Sequence, residues 1–272
     1  MKNKFKKMIA ALMAVTSLGV GIMEANANAS NLENEFDYAP VIGEFQHEED
    51  WIKLIEEKER IANEYNNVIK RKDYDLASMS SQPSFKRIAI MGQRAQKTDF
   101  WCGYAAMESL LDYDYKDMTQ YEIANIVYTP DKSCPWYLSN GNSIDQFPVV
   151  TALRKYIGYS YIPYPYGAAG STTLSGSELS WRVKYTICKE HGLMVCGTSA
   201  LSVNDASHLP NYPAQTITHW LAIDGYSNSG SDIFILDPAK SDAVSWSGSI
   251  SALYSVSSDK LAAFASSRGL IW

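Results

Sequence analysis

The feature that most restricts the fold is a pair of apolar, alternating segments late in the chain. His219-Trp220-Leu221-Ala222-Ile223-Asp224-Gly225-Tyr226 and Asp232-Ile233-Phe234-Ile235-Leu236-Asp237-Pro238 both read as strands. Ser227-Asn228-Ser229-Gly230-Ser231 between them is turn chemistry, so the two form an antiparallel hairpin. A turn centred on Asn228 pairs Ile223 with Ile233, Leu221 with Ile235 and His219 with Asp237. Side chains alternate along a strand, so these six share one face. Four are aliphatic and belong in a core. The imidazole and the carboxylate meet at the open end of that face, where one orients the other in many acyl-transfer sites. A one-residue slip would separate them, and alone His219 reads first as a hydrogen-bonded structural histidine. Pro238 ends the second strand just past Asp237.

A nucleophile comes from Gln96-Lys97-Thr98-Asp99-Phe100-Trp101-Cys102-Gly103-Tyr104-Ala105-Ala106-Met107. Behind Cys102, residues Ala105, Ala106, Met107, Leu110 and Leu111 recur at helical spacing. Thr98 or Asp99 is placed to cap that helix. Cys102 then stands in the first turn, where free N–H groups and the helix dipole favour a thiolate. A lone cysteine here is more often a buried structural thiol or half of a disulfide. Its company with His219 and Asp237 tips the reading to catalysis. The competing polar residues are weaker. His191 sits at a helix C-terminus for electrostatic reasons, His208 lies in a loop where solvation or substrate contact is expected, and His47 is in the N-terminal arm. Asp224 faces away from His219, and Gln93 is less well placed than Gln96.

Residues 1–29 read as a secretory signal. Lys2, Lys4, Lys6 and Lys7 precede an apolar run from Met8 to Ile22, followed by small-x-small sites at Ala25–Ala27 and Ala27–Ala29. An uncleaved anchor is the alternative reading. With the signal removed, no stable membrane insertion is expected and the protein is secreted. Its loss takes away four lysines and Glu24, moving the formal charge from −6 to −9. That acidity argues against nucleic acid or anionic lipid as a partner. The four cysteines, Cys102, Cys134, Cys188 and Cys196, allow up to two bridges and leave their pairing open. No CxxC or Cys/His cluster has zinc spacing, so neither a metal nor a cofactor is expected.

Residues 30–85 form an arm, with a helix expected from about Glu48 to Tyr74 and a linker from Leu76 to Ser84. It is either a pro-segment whose helix packs on the cleft or an extra helix of the mature fold. The catalytic domain takes residues 86–272. Within it we expect a strand at Arg87–Gly92 and a helix at Thr119–Val127 with a Thr119/Glu122 capping box. A second boxed helix runs from Ser143 to Gly158, and Tyr159–Tyr166 is an edge strand because of its prolines. A helix from Ser177 ends at a Gly192 C-cap, followed by a strand at Leu193–Gly197 and a cleft-bordering loop at Ser199–Thr218. A further helix is expected near Asp259–Ser267.

Gln96, Cys102, His219 and Asp237 in this order resemble the papain-like cysteine peptidases. The stretches QKTDFWCGYAAMESLLDY, GLMVCG, HWLAIDGY and FILDPA resemble the C39-like branch in particular, over about Ile88 to Ser255. The resemblance implies an α+β fold in which a helical part carrying the cysteine packs on an antiparallel sheet carrying histidine and aspartate. It implies Cys102 as nucleophile, His219 as general base and acid, Asp237 as the residue orienting His219, and Gln96 with the Cys102 N–H as an oxyanion hole. A peptide or protein is then the substrate. The chain departs from exporter-fused C39 domains in carrying a signal sequence and no transporter. A secreted binding module on the same shell, and an acyltransferase using the same residues, remain alternatives.

Overall fold

The computed structural model describes residues 52–64, 83–138, 146–165 and 174–272. The expected signal sequence and the part of the arm at 65–82 lie outside these residues. In chain order the elements are a helix over 52–64 (α1), β1 (Lys86–Arg87), α2 (Cys102–Tyr113), α3 (Gln120–Val127), α4 (Pro148–Ile157), β2 (Pro163–Tyr164), α5 (Gly176–Cys188), β3 (Leu193–Ser199), β4 (Ile217–Ser227), β5 (Asp232–Leu236), β6 (Leu253–Ser257), α6 (Ser258–Ala265) and β7 (Gly269–Ile271). The strands make one antiparallel sheet in the order β2-β7-β3-β4-β5-β6, with β1 pairing β4. Helices and an antiparallel sheet share one core, so the class is α+β.

The central strands are buried nearly throughout because both faces of the sheet are covered. Leu193, Val195, Leu221, Ile223, Ile233 and Ile235 are all at 0% exposure. Each such side chain contributes about 1.5–3 kcal/mol relative to exposure. Helix α2 is apolar around most of its circumference and buried accordingly, lying against β3 and β4 and also against α3 and α4. Gly103 makes that approach feasible, since a Cβ there would sit 2.4 Å from Cys134 Cβ and 2.9 Å from the Trp220 ring. The two-residue strand β2 at the end of the sheet carries Pro163, an edge position that proline tolerates.

Helix α1 is tied to the rest of the domain by Lys58, whose side chain is buried. Its ammonium donates to the carbonyls of Ser160 and Trp272, both at 2.7 Å, and sits 4.5 Å from the rings of Tyr159 and Trp272. Glu59 pairs with buried Arg182 at 2.9 Å. Burial and the neighbouring Arg154 charge push the Lys58 ammonium well below its usual range.

Several local expectations need correction. The hairpin pairs Ile223 with Ile235, not with Ile233, and the register then shifts so that Tyr226 faces Ile233. Its turn is a short 3-10 segment, Asn228–Gly230, with Asn228 and Ser229 at positive φ, and Asp224 is the extra residue of a bulge. The side chains of Thr98 and Asp99 do not cap α2; its N-cap is Trp101, with no side-chain hydrogen bond. Only Lys86–Arg87 forms the first strand, because the Met91 N–H turns back to the Ile88 carbonyl. Helix α4 begins at Pro148 behind Phe147, while residues 139–145 of the expected second box lie outside the described ones. Helix α5 starts with a Ser175/Glu178 capping box and ends at Lys189, and Glu190 takes the left-handed conformation expected of Gly192. Gly192 instead lies close against Met91, whose Sδ would be 2.6 Å from an added Cβ. The Thr119/Glu122 box of α3 forms as expected.

Candidate active site

A cleft of about 470 Å³ opens where the start of α2 meets the start of β4. It is lined by Cys102 with Asp99 and Phe100 on one side, Ser133 and Cys134 on a second, and Gln215–Trp220 with Trp246 on the third. Aromatic donors around α2 and β4 hold the second wall. Trp101 Nε1–H donates to the Pro130 carbonyl at 2.9 Å, Trp220 Nε1–H to that of Cys134 at 3.2 Å, and the Tyr104 hydroxyl to that of Thr129 at 3.3 Å. No residue of α1 lines the cleft.

Cys102 is half-buried as the first residue of α2. Cys102 and His219 both line the cleft, and the His219 side chain with the backbone N–H groups of Trp220 and Gly103 acts electrostatically on the thiol. The helix start, which has no side-chain cap, leaves the first-turn N–H of Gly103 free for the sulfur, while that of Trp220 comes from β4. Burial pushes the thiol up, but the His219 charge and these N–H groups outweigh it and bring it below the usual thiol range.

His219 is buried on β4, and its Nε2 lies 2.9 Å from Asp237 Oδ1. Asp237 is fully buried just beyond β5. Its Oδ1 also accepts the Ala239 N–H at 2.9 Å, and its Oδ2 accepts the hydroxyls of Tyr212 and Tyr254, each at 2.8 Å. A carboxylate only accepts, so Nε2 carries a proton and Nδ1 is left for the sulfur. Burial alone would lower the ring. The charges of Cys102 and Asp237, with their hydrogen bonds, outweigh it and hold His219 up at about 10. Tyr212 and Trp246 both pack edge-on to the imidazole, with ring centroids 6.0 and 6.5 Å away.

The register correction does not part His219 from Asp237. The slip is two residues at this end, so both side chains keep the same face, and Asp237 reaches His219 diagonally from past the strand end.

Gln96 stands differently. It is buried, its Nε2–H donates to the Thr98 carbonyl at 2.7 Å, and its Oε1 has no hydrogen-bond partner among the described residues. Its backbone joins the segment after β5, through its N–H to the Pro238 carbonyl at 3.0 Å and its own carbonyl to the Ser241 hydroxyl. It is not among the cleft-lining residues. Gln93 donates to the Asp237 carbonyl at 2.9 Å and so steadies the same segment. His208, expected to be solvated, is buried with Nδ1 2.7 Å from the Ala200 carbonyl. His191 stacks on Tyr159 at 4.1 Å. Asp224 pairs with Arg87, away from His219.

The four cysteines are unpaired. Burial first, and the Cys102 charge second, push the thiols of Cys134 and Cys196 well above their usual range, so neither competes as a thiolate. Sequence reading missed Tyr212, Tyr254 and Trp246, which surround the His–Asp pair; no spacing rule marks them, because they come from two loops and an outer strand.

A buried imidazole between a carboxylate and a thiol at a helix start is the equipment of thiol-based acyl chemistry. Residues 85–253 match the Peptidase_C39 like family, and the chain belongs to that family. No curated protein and no solved structure matches the chain significantly. Membership assigns the chain to the cysteine-type peptidases and their related hydrolases and transferases.

Proposed function

We propose that this protein is a secreted cysteine peptidase with a papain-like fold, hydrolysing peptide or related amide bonds in a peptide or protein substrate. The observation that carries the reading is the line Cys102–His219–Asp237, with the thiol lowered and the ring raised by each other's charge. In it, the Cys102 thiolate attacks the substrate carbonyl carbon. The carbonyl oxygen takes the negative charge and is held by the Cys102 N–H and the second N–H of Gln96 Nε2. The C–N bond then breaks as the His219 imidazolium gives its proton to the leaving amine. Water next attacks the thioester, His219 removes its proton, and the acid leaves with the thiolate restored. Asp237 keeps Nε2 protonated throughout and so keeps Nδ1 directed to the sulfur. Secretion rests on the charged, apolar and small-residue order of positions 1–29.

A binding module would need no depressed thiol, and the two functions separate in one assay. The protein is incubated with a mixture of unfolded-protein peptides, and new termini are read by mass spectrometry. The wild type is expected to create them and Cys102→Ala none. Gln96→Ala is expected to keep its fold and lose roughly a hundredfold or more in rate. No new termini from wild type would end the peptidase reading, and wild-type rates in Gln96→Ala would remove that residue from the oxyanion site.

A further inference from the structure

We propose that Tyr212 and Tyr254 are positioning residues that keep Asp237 aimed at His219, an inference that rests on the catalytic reading above. The carboxylate has room for about four hydrogen bonds, and here it accepts four. Oδ1 takes His219 Nε2–H and the Ala239 N–H, while Oδ2 takes the two phenols. The oxygen facing His219 is therefore fixed only as well as its twin is held. The two phenols arrive from different directions, Tyr212 from the loop before β4 and Tyr254 from β6. They clamp Oδ2 and prevent the carboxylate from rotating about its Cβ–Cγ bond. Burial and the Asp237 charge keep both phenols far above their ordinary range, so they remain donors at any working pH. The titratable groups around the carboxylate are then His219 on β4, Cys102 on α2 and these two tyrosines.

Without the phenols, Oδ2 would be a bare anionic oxygen in the interior. Such an oxygen is relieved by taking a proton or by turning the group toward another donor. Either change withdraws charge from His219, weakens the imidazolium and raises the pH at which Cys102 becomes a thiolate. Neither tyrosine lines the cleft, so substrate affinity should be left alone while the chemical step suffers.

The test uses full-length protein and iodoacetamide, with alkylation of Cys102 quantified by mass spectrometry across pH. Tyr212→Phe and Tyr254→Phe each remove one hydrogen bond to a charged group. Each is expected to shift the thiolate equilibrium about tenfold, moving the acid limb up by about one pH unit. The double variant is expected to move it further than either single. If the double variant does not fold, the singles carry the test, since each retains one phenol on Oδ2. A purely structural role would lower the melting temperature and leave the acid limb in place. Folded single variants with the wild-type limb would overturn the role of the tyrosines. A wild-type Cys102 that alkylates like a free thiol would instead overturn the catalytic reading beneath it.

Discussion

The β4–β5 hairpin buries a carboxylate toward each of its ends, and the two are held in opposite ways. Asp224, in the bulge near the turn, is fully buried and paired with a single cation. Arg87 from β1 reaches its Oδ2 through Nε at 3.0 Å and through Nη2, while Oδ1 has no partner among the described residues. Asp237, at the open end, pairs among the described residues with the histidine and accepts from four donors, counting it. Burial raises the Asp224 carboxyl above its usual range, and Arg87 offsets only part of that. One guanidinium on one oxygen thus leaves part of the Asp224 desolvation uncompensated, whereas both oxygens of Asp237 are hydrogen-bonded. The first arrangement ties a short strand to the sheet. The second holds a negative charge in a fixed direction, which is what an oriented imidazole needs.

The largest effect should come from Asp237→Asn. The substitution removes the charge opposite His219 and points an amide N–H at groups that are themselves donors. Alkylation of Cys102 at neutral pH is expected to fall about a hundredfold, in line with losing an opposite charge within hydrogen-bond distance. Full reactivity in a folded Asp237→Asn protein would erase the distinction between the two carboxylates.

Arg87→Met should act on stability alone. It strands a buried carboxylate, and unfolding by denaturant is expected to show a loss of about 3 kcal/mol at neutral pH. The sign of the pH dependence follows from the raised carboxyl. The folded protein holds the Asp224 proton to a higher pH than the unfolded chain, so stability falls as pH rises from the unfolded value toward the folded one. The loss should therefore shrink in mild acid, while Cys102 alkylation stays at the wild-type rate. A loss independent of pH would contradict the role given to Asp224. The smallest effect is expected from Asp224→Asn, within about 1 kcal/mol. The amide still accepts from Arg87, and the quarter-exposed guanidinium has water to turn to.

How far the sequence could be read also differs between the two ends. The Cys102 helix, the existence of the hairpin and the shared face of His219 and Asp237 are legible because they rest on local periodicity and turn residues. The register is not. The bulge at Asp224 depends on a partner 137 residues earlier in the chain, and positive φ at two non-glycine residues gives little local warning. The slip amounted to two residues at the open end, so the face survived. Tyr212 and Tyr254 were invisible for a similar reason, since their hydroxyls acquire meaning only when a loop and an outer strand converge on one oxygen. The expected capping of α2 by Thr98 or Asp99 fails because Trp101, which has no side-chain oxygen, stands at the N-cap. The fit of Lys58 between Ser160 and Trp272 is likewise tertiary, for the helical pattern shows that α1 packs on something but not that a lysine is buried there.

The claim on which the rest depends is that Cys102 and His219 share a proton as thiolate and imidazolium. The most direct measurement is the rate of Cys102 alkylation against pH, in wild type and in His219→Ala. The wild type should become reactive below the ordinary thiol range. His219→Ala should move the onset up into the range of a buried thiol. Superimposable curves for the two proteins would contradict the account.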